Sequence, residues 1–367
     1  MFKKLVGSLC ATYAAADFNE DHHDILHGIE TEFDKNELFA AFYHEFASES
    51  PVAIDEVSNR FDTFMENVES VITHNMKDGR SFDRGLNKFS AMTFAEFSEY
   101  FHLNENAENA DQNCSATDRQ SPLTADGLDD DVPDTWNWQN HGGVSPVKDQ
   151  GSCGSCWTFS TVGCLESAHL IKYGMLETYS EQQLVDCAGD FDTYGCNGGL
   201  PSHAFEYAFY AGGMASEEAY PYFAVDQDCT VSSSDFILSV GHSVNITAGD
   251  ETELKAAVYQ QPVSVAFQVA DDFSSYTTGV YTSTVCQNGP MDVNHAVLAV
   301  GYGTDDNGMD YWLIKNSWGT SWGMDGFFMM ERGVNMCGIA DCNSYPSSVE
   351  EISTATDMFA ELTQFLN

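Results

Sequence analysis

Apolar positions in the first third of the chain recur at helical spacing. Phe33, Leu38, Phe39, Phe42 and Phe46 do so within residues 17–103, a stretch with few turn signals. Glu56, Arg60, Phe64, Asn67, Val71 and Asn75 follow at steps of four, four, three, four and four, which places all six on one face of a helix. By pattern alone this is an ordinary amphipathic helix. Residues 154–171 are again helical in pattern, and Ser180-Glu-Gln-Gln-Leu reads as a capped helix start. Beyond about Val240 the apolar runs shorten. Residues 263–269, 295–300 and 311–314, separated by Gly and Asn turns, read as strands. Helices first and strands second predict an α+β protein with two lobes. The chain shows no internal repeat.

Between the helical start and the body lies a different stretch. Residues 104–131 are polar and acidic, with Ser121-Pro122 and the run Asp129-Asp130-Asp131, and read as an exposed linker open to proteolytic nicking. It holds a single cysteine, Cys114, which is odd unless it is tethered. From Val132 tryptophan, glycine and cysteine become dense. At the front, Lys3 and Lys4 precede a short apolar stretch ending in Ala14-Ala15-Ala16, the pattern of a secretory signal peptide over 1–16. No later segment is long and apolar enough to predict a membrane span. The stretch from Ser347 reads as a weakly amphipathic tail.

Charge and cysteine content narrow the setting. The 367 residues carry a formal net charge of −43. Such a surface repels nucleic acid and anionic membranes, so neither is expected as a partner. Its self-repulsion eases as carboxylates protonate, which suits an acidic compartment; a high-salt habitat would explain it equally well. Residues 132–346 hold 26 acidic and 5 basic side chains, so the body itself is acidic. Eleven cysteines point to an oxidising compartment, and the odd count leaves at least one thiol unpaired.

The candidate chemistry sits in Gln150-Gly-Ser-Cys-Gly-Ser-Cys156-Trp-Thr-Phe-Ser, where Cys156 opens a helical pattern. A helix N-terminus favours the thiolate, because its dipole and free N–H groups stabilise negative charge. A nucleophilic thiolate needs a base and a group to orient that base. His295, in Val293-Asn-His-Ala-Val, starts an apolar strand; Asn316, in Lys315-Asn-Ser-Trp-Gly, can accept a hydrogen bond from an imidazole without adding charge. A zinc site at Cys153-x-x-Cys156 lacks a second ligand pair of matching spacing, and no metal or other cofactor is expected. His141, His169, His203 and His242 read as surface or packing residues.

Cys153-Gly-Ser-Cys156-Trp, with His295 139 residues and Asn316 160 residues after Cys156, resembles the papain-like cysteine proteases. The resemblance implies a two-lobe α+β fold, a helical lobe plus a β-barrel-like lobe, behind an N-terminal helical inhibitory propeptide. It implies that Cys156 attacks the scissile carbonyl, that His295 forms the ion pair with it, and that Asn316 orients the imidazole while Trp318 shields that bond. Gln150 and the Cys156 N–H would form the oxyanion hole, and Gly198 and Gly199 would bind an extended substrate backbone. It also implies the disulfides Cys153–Cys196, Cys187–Cys229 and Cys286–Cys337, leaving Cys164 as a small buried thiol. The helical face at 56–75 resembles the family's propeptide motif, with Val71 where isoleucine is usual. Gly85-Leu-Asn-Lys-Phe-Ser-Ala91 resembles its second motif, with Ala91 where aspartate is usual; this bears on the acid-triggered part of activation.

Within the family the chain is most similar to the cathepsin H branch, through Glu181-Gln-Gln-Leu-Val-Asp-Cys, Gly198-Gly-Leu-Pro-Ser and Asn335-Met-Cys-Gly-Ile-Ala-Asp-Cys. Gln112-Asn-Cys-Ser-Ala-Thr117 resembles the mini-chain that this branch retains from its propeptide, implying a Cys114–Cys342 disulfide and a carboxylate freed after Thr117. The expectation is a zymogen acting mainly as an aminopeptidase, with some endopeptidase activity. The alternatives are an open-cleft cathepsin L-like endopeptidase and a catalytically silent binding or storage protein. The expected organisation is a signal peptide at 1–16, a propeptide at 17–131 with the mini-chain near 110–117, a peptidase domain at 132–346 and a tail at 347–367. Asn113 and Asn245 lie in glycosylation sequons. Expected partners are peptide and protein substrates, the chain's own propeptide and cystatin-type inhibitors. The protein is expected to act as a monomer, in a lysosome or vacuole or after secretion.

Overall fold

The computed structural model describes residues 32–46, 49–51, 60–103, 114–121 and 132–352. The expected signal peptide, Glu56, Asn113 and the tail beyond residue 352 lie outside them, as does the side chain of Phe33.

The helical lobe is built on α-helices whose ends are chemically marked. The 18-residue helix Cys156–Tyr173 stops at Gly174, which takes the left-handed conformation (φ 73°) that residues with a Cβ avoid, and whose N–H reaches Leu170 O. The helix Glu181–Cys187 begins where the Ser180 side chain accepts from Gln183 N–H. The helix Pro201–Ala211 starts with proline, whose missing N–H costs nothing in a first turn, and ends at Gly212. We number the helices in chain order: α1 Glu32–Phe46, α2 Phe61–Asn75, α3 Phe94–Tyr100, α4 Cys156–Tyr173, α5 Glu181–Cys187, α6 Pro201–Ala211 and α7 Glu251–Gln260.

The sheet lobe is a nine-stranded sheet. Its strands are β1 Phe82–Arg84, β2 Trp136–Asn137, β5 Ser243–Asn245, β6 Val263–Phe267, β7 Tyr276–Tyr281, β8 His295–Thr304, β9 Asp310–Lys315, β10 Phe327–Glu331 and β11 Ser344–Pro346. They run in the order β1-β7-β10-β9-β8-β6-β11-β5, with β2 pairing to β8. A second sheet of β3 Met214–Ala215, β4 Phe236–Val240 and β12 Val349–Glu351 has β4 in the middle. One continuous apolar core joins α4, α6 and the large sheet, with Trp157, Trp312, Trp318 and Trp322 fully buried.

The expected propeptide has a small core of its own, in which Phe39, Phe42, Phe46, Phe64, Val68 and Val71 join α1 to α2. It then becomes part of the body, because β1 pairs antiparallel with β7 and Phe82 packs on Tyr281 at 5.0 Å between ring centres. Gly279, opposite Phe82, permits this approach: a Cβ there would stand 2.5 Å from Ser81 O.

Three differences from the sequence reading have physical causes. The predominantly helical reading of 17–103 is interrupted by β1 and the turn after it, where Asn87 accepts from Phe89 N–H and donates to Ser274 O. Within the strand-rich second half, α7 forms because Asp250 accepts from Thr252 and Glu253 N–H, with Leu254, Ala257 and Val258 buried on one face. The stretch read as a weakly amphipathic tail from Ser347 starts with a strand: β12 pairs with β4, and Lys172 of α4 donates to Val349 O.

Candidate active site

Cys156 is the first residue of α4, where the dipole and unpaired N–H groups point at its sulfur. Its Sγ also accepts from Ala296 N–H at 3.5 Å, across the junction of the two lobes. His295 is the first residue of β8, opposite Phe267 in β6. Its Nε2 donates to Asn316 Oδ1 at 2.8 Å. That bond fixes the tautomer of the neutral ring: the buried Nδ1, which has no hydrogen-bond partner among the described residues, is the nitrogen left to act as base. Asn316 follows β9 and is held by its own N–H to Gly326 O. Trp318 is fully buried and stacks on the imidazole, 4.8 Å between centres and 26° between planes, which keeps water from the His295–Asn316 bond.

Gln150 is completely buried, and its amide is held at both ends. Ser317 Oγ donates to Oε1 at 2.7 Å, and Nε2 donates to Cys153 O at 3.0 Å. The same Ser317 gives its backbone N–H to Asn316 Oδ1 at 2.9 Å, so one residue braces both Asn316 and Gln150. Tyr222 is a further brace: its OH donates to Gln150 O at 2.7 Å and lies 2.6 Å from Ser155 Oγ. Ser317 lies inside the Asn-Ser-Trp-Gly motif and could have been suspected there; Tyr222 carries no comparable sequence signal. Gly198 and Gly199 form a bare floor. Gly198 has φ 110°, and a Cβ on Gly199 would stand 2.7 Å from the Trp157 ring.

The precursor keeps the dyad dry. Burial pushes the Cys156 thiol up to about 11, against the pull of neighbouring N–H groups. Burial lowers His295 to about 4, although its bond to Asn316 favours the charged ring. Burial thus disfavours the charged form of both members while the propeptide covers them. Phe89, Phe97 and Phe101 of the propeptide close over Trp318 at 4.8–6.1 Å. Behind the site, Lys148 binds both Glu166 and Glu181 at 2.6 Å, and Lys315 donates to Ser145, tying α4 and α5 to the strand that delivers Asn316.

The structure joins Cys153 to Cys196, Cys187 to Cys229, Cys286 to Cys337 and Cys114 to Cys342, and among the described residues leaves Cys156 and Cys164 as buried thiols. Ser202 Oγ at the start of α6 donates to Cys114 O at 2.8 Å. Thr117 lies farther along, with Oγ1 on Ser243 O and its carbonyl receiving Asn245 Nδ2 at 2.5 Å. The glycosylation expected at Asn245 is corrected by this geometry. The residue is 1% exposed, and a glycan on Nδ2 would break the bond to Thr117 and have no room. Of His141, His169, His203 and His242, His169 is fully buried, with Nε2 3.0 Å from Glu351 Oε1.

A match to the papain family of cysteine proteases spans residues 132–347, and one to the cathepsin propeptide inhibitor domain spans 52–97. The chain is 51% identical over 309 residues to a thiol protease aleurain-like protein of Arabidopsis thaliana, covering 84% of this chain and 83% of the relative. It is likewise 51% identical over 309 residues to a pro-cathepsin H of Medicago truncatula, covering 84% and 85%. Among solved structures, a digestive procathepsin L2 proteinase from Tenebrio molitor superposes with a TM-score of 0.76 at 37% identity, over 85% of this chain and 99% of that one. Nucleophile, base, propeptide and these likenesses agree: the chain belongs to the papain family of cysteine proteases, in the form of a zymogen similar to aleurain and pro-cathepsin H.

Proposed function

We propose that the processed enzyme is mainly an aminopeptidase with some endopeptidase activity, working through a Cys156–His295 ion pair. Removal of the propeptide returns water to the site, and the proton of Cys156 passes to His295 Nδ1. The thiolate attacks the scissile carbonyl, and the oxyanion takes hydrogen bonds from Gln150 Nε2 and the Cys156 N–H. His295 protonates the leaving amine as the C–N bond breaks. Water, deprotonated by His295, then hydrolyses the Cys156 thioester. Asn316 keeps the imidazole in plane and Trp318 keeps the Asn316 bond dry. Gly198 and Gly199 receive the substrate backbone.

The observation that carries the aminopeptidase reading is the Cys114–Cys342 disulfide, which ties a propeptide segment to the body across the planned cut. In the precursor the Thr117 carbonyl is bound on β5, at the end of the sheet and three places from the β8 strand of His295. Cleavage after Thr117 severs the connection to Arg119 and Ser121, which pair with Asn245. The freed end, still anchored at Cys114, then turns into the cleft, where its carboxylate meets the ammonium of a peptide N-terminus. An opposite charge in a partly desolvated cleft contributes on the order of a few kcal/mol. Cys114→Ser tests this. The variant should gain cleavage of N-terminally blocked peptides relative to free ones, read by sequencing the products; an unchanged product pattern would remove the mini-chain from the account. The four disulfides and the acidic body support action in an oxidising, acidic compartment such as a lysosome or vacuole, or outside the cell.

A further inference from the structure

One carboxylate beside the oxyanion hole has no part in these steps. The Lys88 ammonium of the propeptide is paired with Asp149, the residue before Gln150. The Lys88 side chain is 6% exposed there, while that of Asp149 stays 42% exposed. Asp149 is held in place rather than free to swing. Its Oδ1 accepts from Gly151 N–H at 3.0 Å, and its backbone bridges to Trp318. The pair lies over Gly319, where a Cβ would stand 2.9 Å from Asp149 Oδ2 and 3.4 Å from Lys88 Nζ, so the seat exists because that position is bare.

The course of the propeptide shows which end of the cleft this is. After Lys88 the chain packs Phe89 edge-to-face with Trp318 and stacks Phe101 on it, and His102 then abuts Gly154, beside Cys156. It reappears at Cys114 on Cys342. The Cys342 end is the one assigned above to the substrate's N-terminus. Asp149 therefore belongs to the opposite end, where the leaving part of the peptide lies.

We propose that Asp149 is a specificity-determining residue: once the propeptide has gone, it binds the Lys or Arg side chain of a substrate on the leaving-group side of the scissile bond, in the seat that Lys88 fills in the precursor. The inference rests on the peptidase reading above and adds a cationic preference to it. Lys88 is the chain's own example of the ligand: a side-chain ammonium seated next to the oxyanion donor. With 26 acidic side chains against 5 basic ones in residues 132–346, the body also attracts cations without any specific site, so the test must separate a local effect from a global one.

The test uses processed enzyme and quenched peptides with free amino termini, identical except for Lys, Gln or Glu at one of the first three positions after the scissile bond. The expected result is a kcat/KM for Lys about three- to tenfold above that for Glu at one position, the range of a partly exposed ion pair. In Asp149→Asn the Lys/Glu ratio should fall towards one. Asp306→Asn, which removes the same charge from an exposed turn between β8 and β9, should keep the wild-type ratio. Lys and Glu within twofold of each other at all three positions, or a preference that survives Asp149→Asn, would overturn the proposal while leaving the peptidase intact. Failure to cleave even the Gln peptides would overturn both.

Discussion

The Gln150 amide is aimed by bonds at both ends, from Ser317 and to Cys153; in its proposed role it would donate most strongly once negative charge appears on the carbonyl oxygen. Such a donor acts on the chemical step more than on binding. Gln150→Ala should therefore lower kcat by about 10²-fold or more with little change in KM. A loss confined to KM would place Gln150 in substrate binding instead. At this scale Cys156, His295 and Asn316 were legible because each sits in a local motif whose chemistry demands its residue type. The braces were not. Ser317 and Tyr222 act through hydroxyls brought to Gln150 across 167 and 72 residues respectively, and no periodicity records that. Asn245 shows the converse failure: a sequon is three residues long, whereas the burial that closes it comes from β5 packing against the mini-chain.

Within the propeptide, α3 is the element tied back to α2. Thr93 and Glu96 form a capping box at its start, and Glu96 also pairs with Arg60 at the start of α2. Burial works against the charge on Glu96, but the Arg60 bond and the Thr93 N–H outweigh it and hold the carboxyl below its usual range. This contribution is fully present above the ordinary glutamate value and is lost as pH falls through the lowered one. Ala91, in place of the usual aspartate, adds no carboxylate, so Glu96 takes a larger share of the acid response. Glu96→Gln removes the charge at every pH. Its precursor should be processed at a higher pH than wild type, measured as the fraction converted against pH on gels; identical profiles would contradict the assignment. Of the elements, α2, α4 and α5 were legible from periodicity and caps. The three-residue β1 was too short to show a period of two, and α7 was masked by the strand-like runs around it, although Asp250 is an ordinary N-cap.

For the whole molecule, the helix-then-strand order revealed two lobes but not the strand that follows Ser347. β12 returns to pair with β4, beside the helical lobe, and its Glu350 and Glu351 meet Lys172 and His169 of α4. The pairing of Cys114, which the resemblance implied and the polar linker itself did not show, is made at this scale, where the fold brings Cys342 within 5.0 Å, Cα to Cα. The proposed role of this tether is to turn an open cleft into a site for free N-termini. The most direct test is the hydrolysis rate of two matched substrates on processed enzyme at mildly acidic pH, one with a free amino terminus and one acyl-blocked. A strong preference for the free amine is expected, of about tenfold or more for an ion pair worth on the order of 1.4 kcal/mol. Equal or faster cleavage of the blocked substrate would contradict it and make the enzyme an open-cleft endopeptidase.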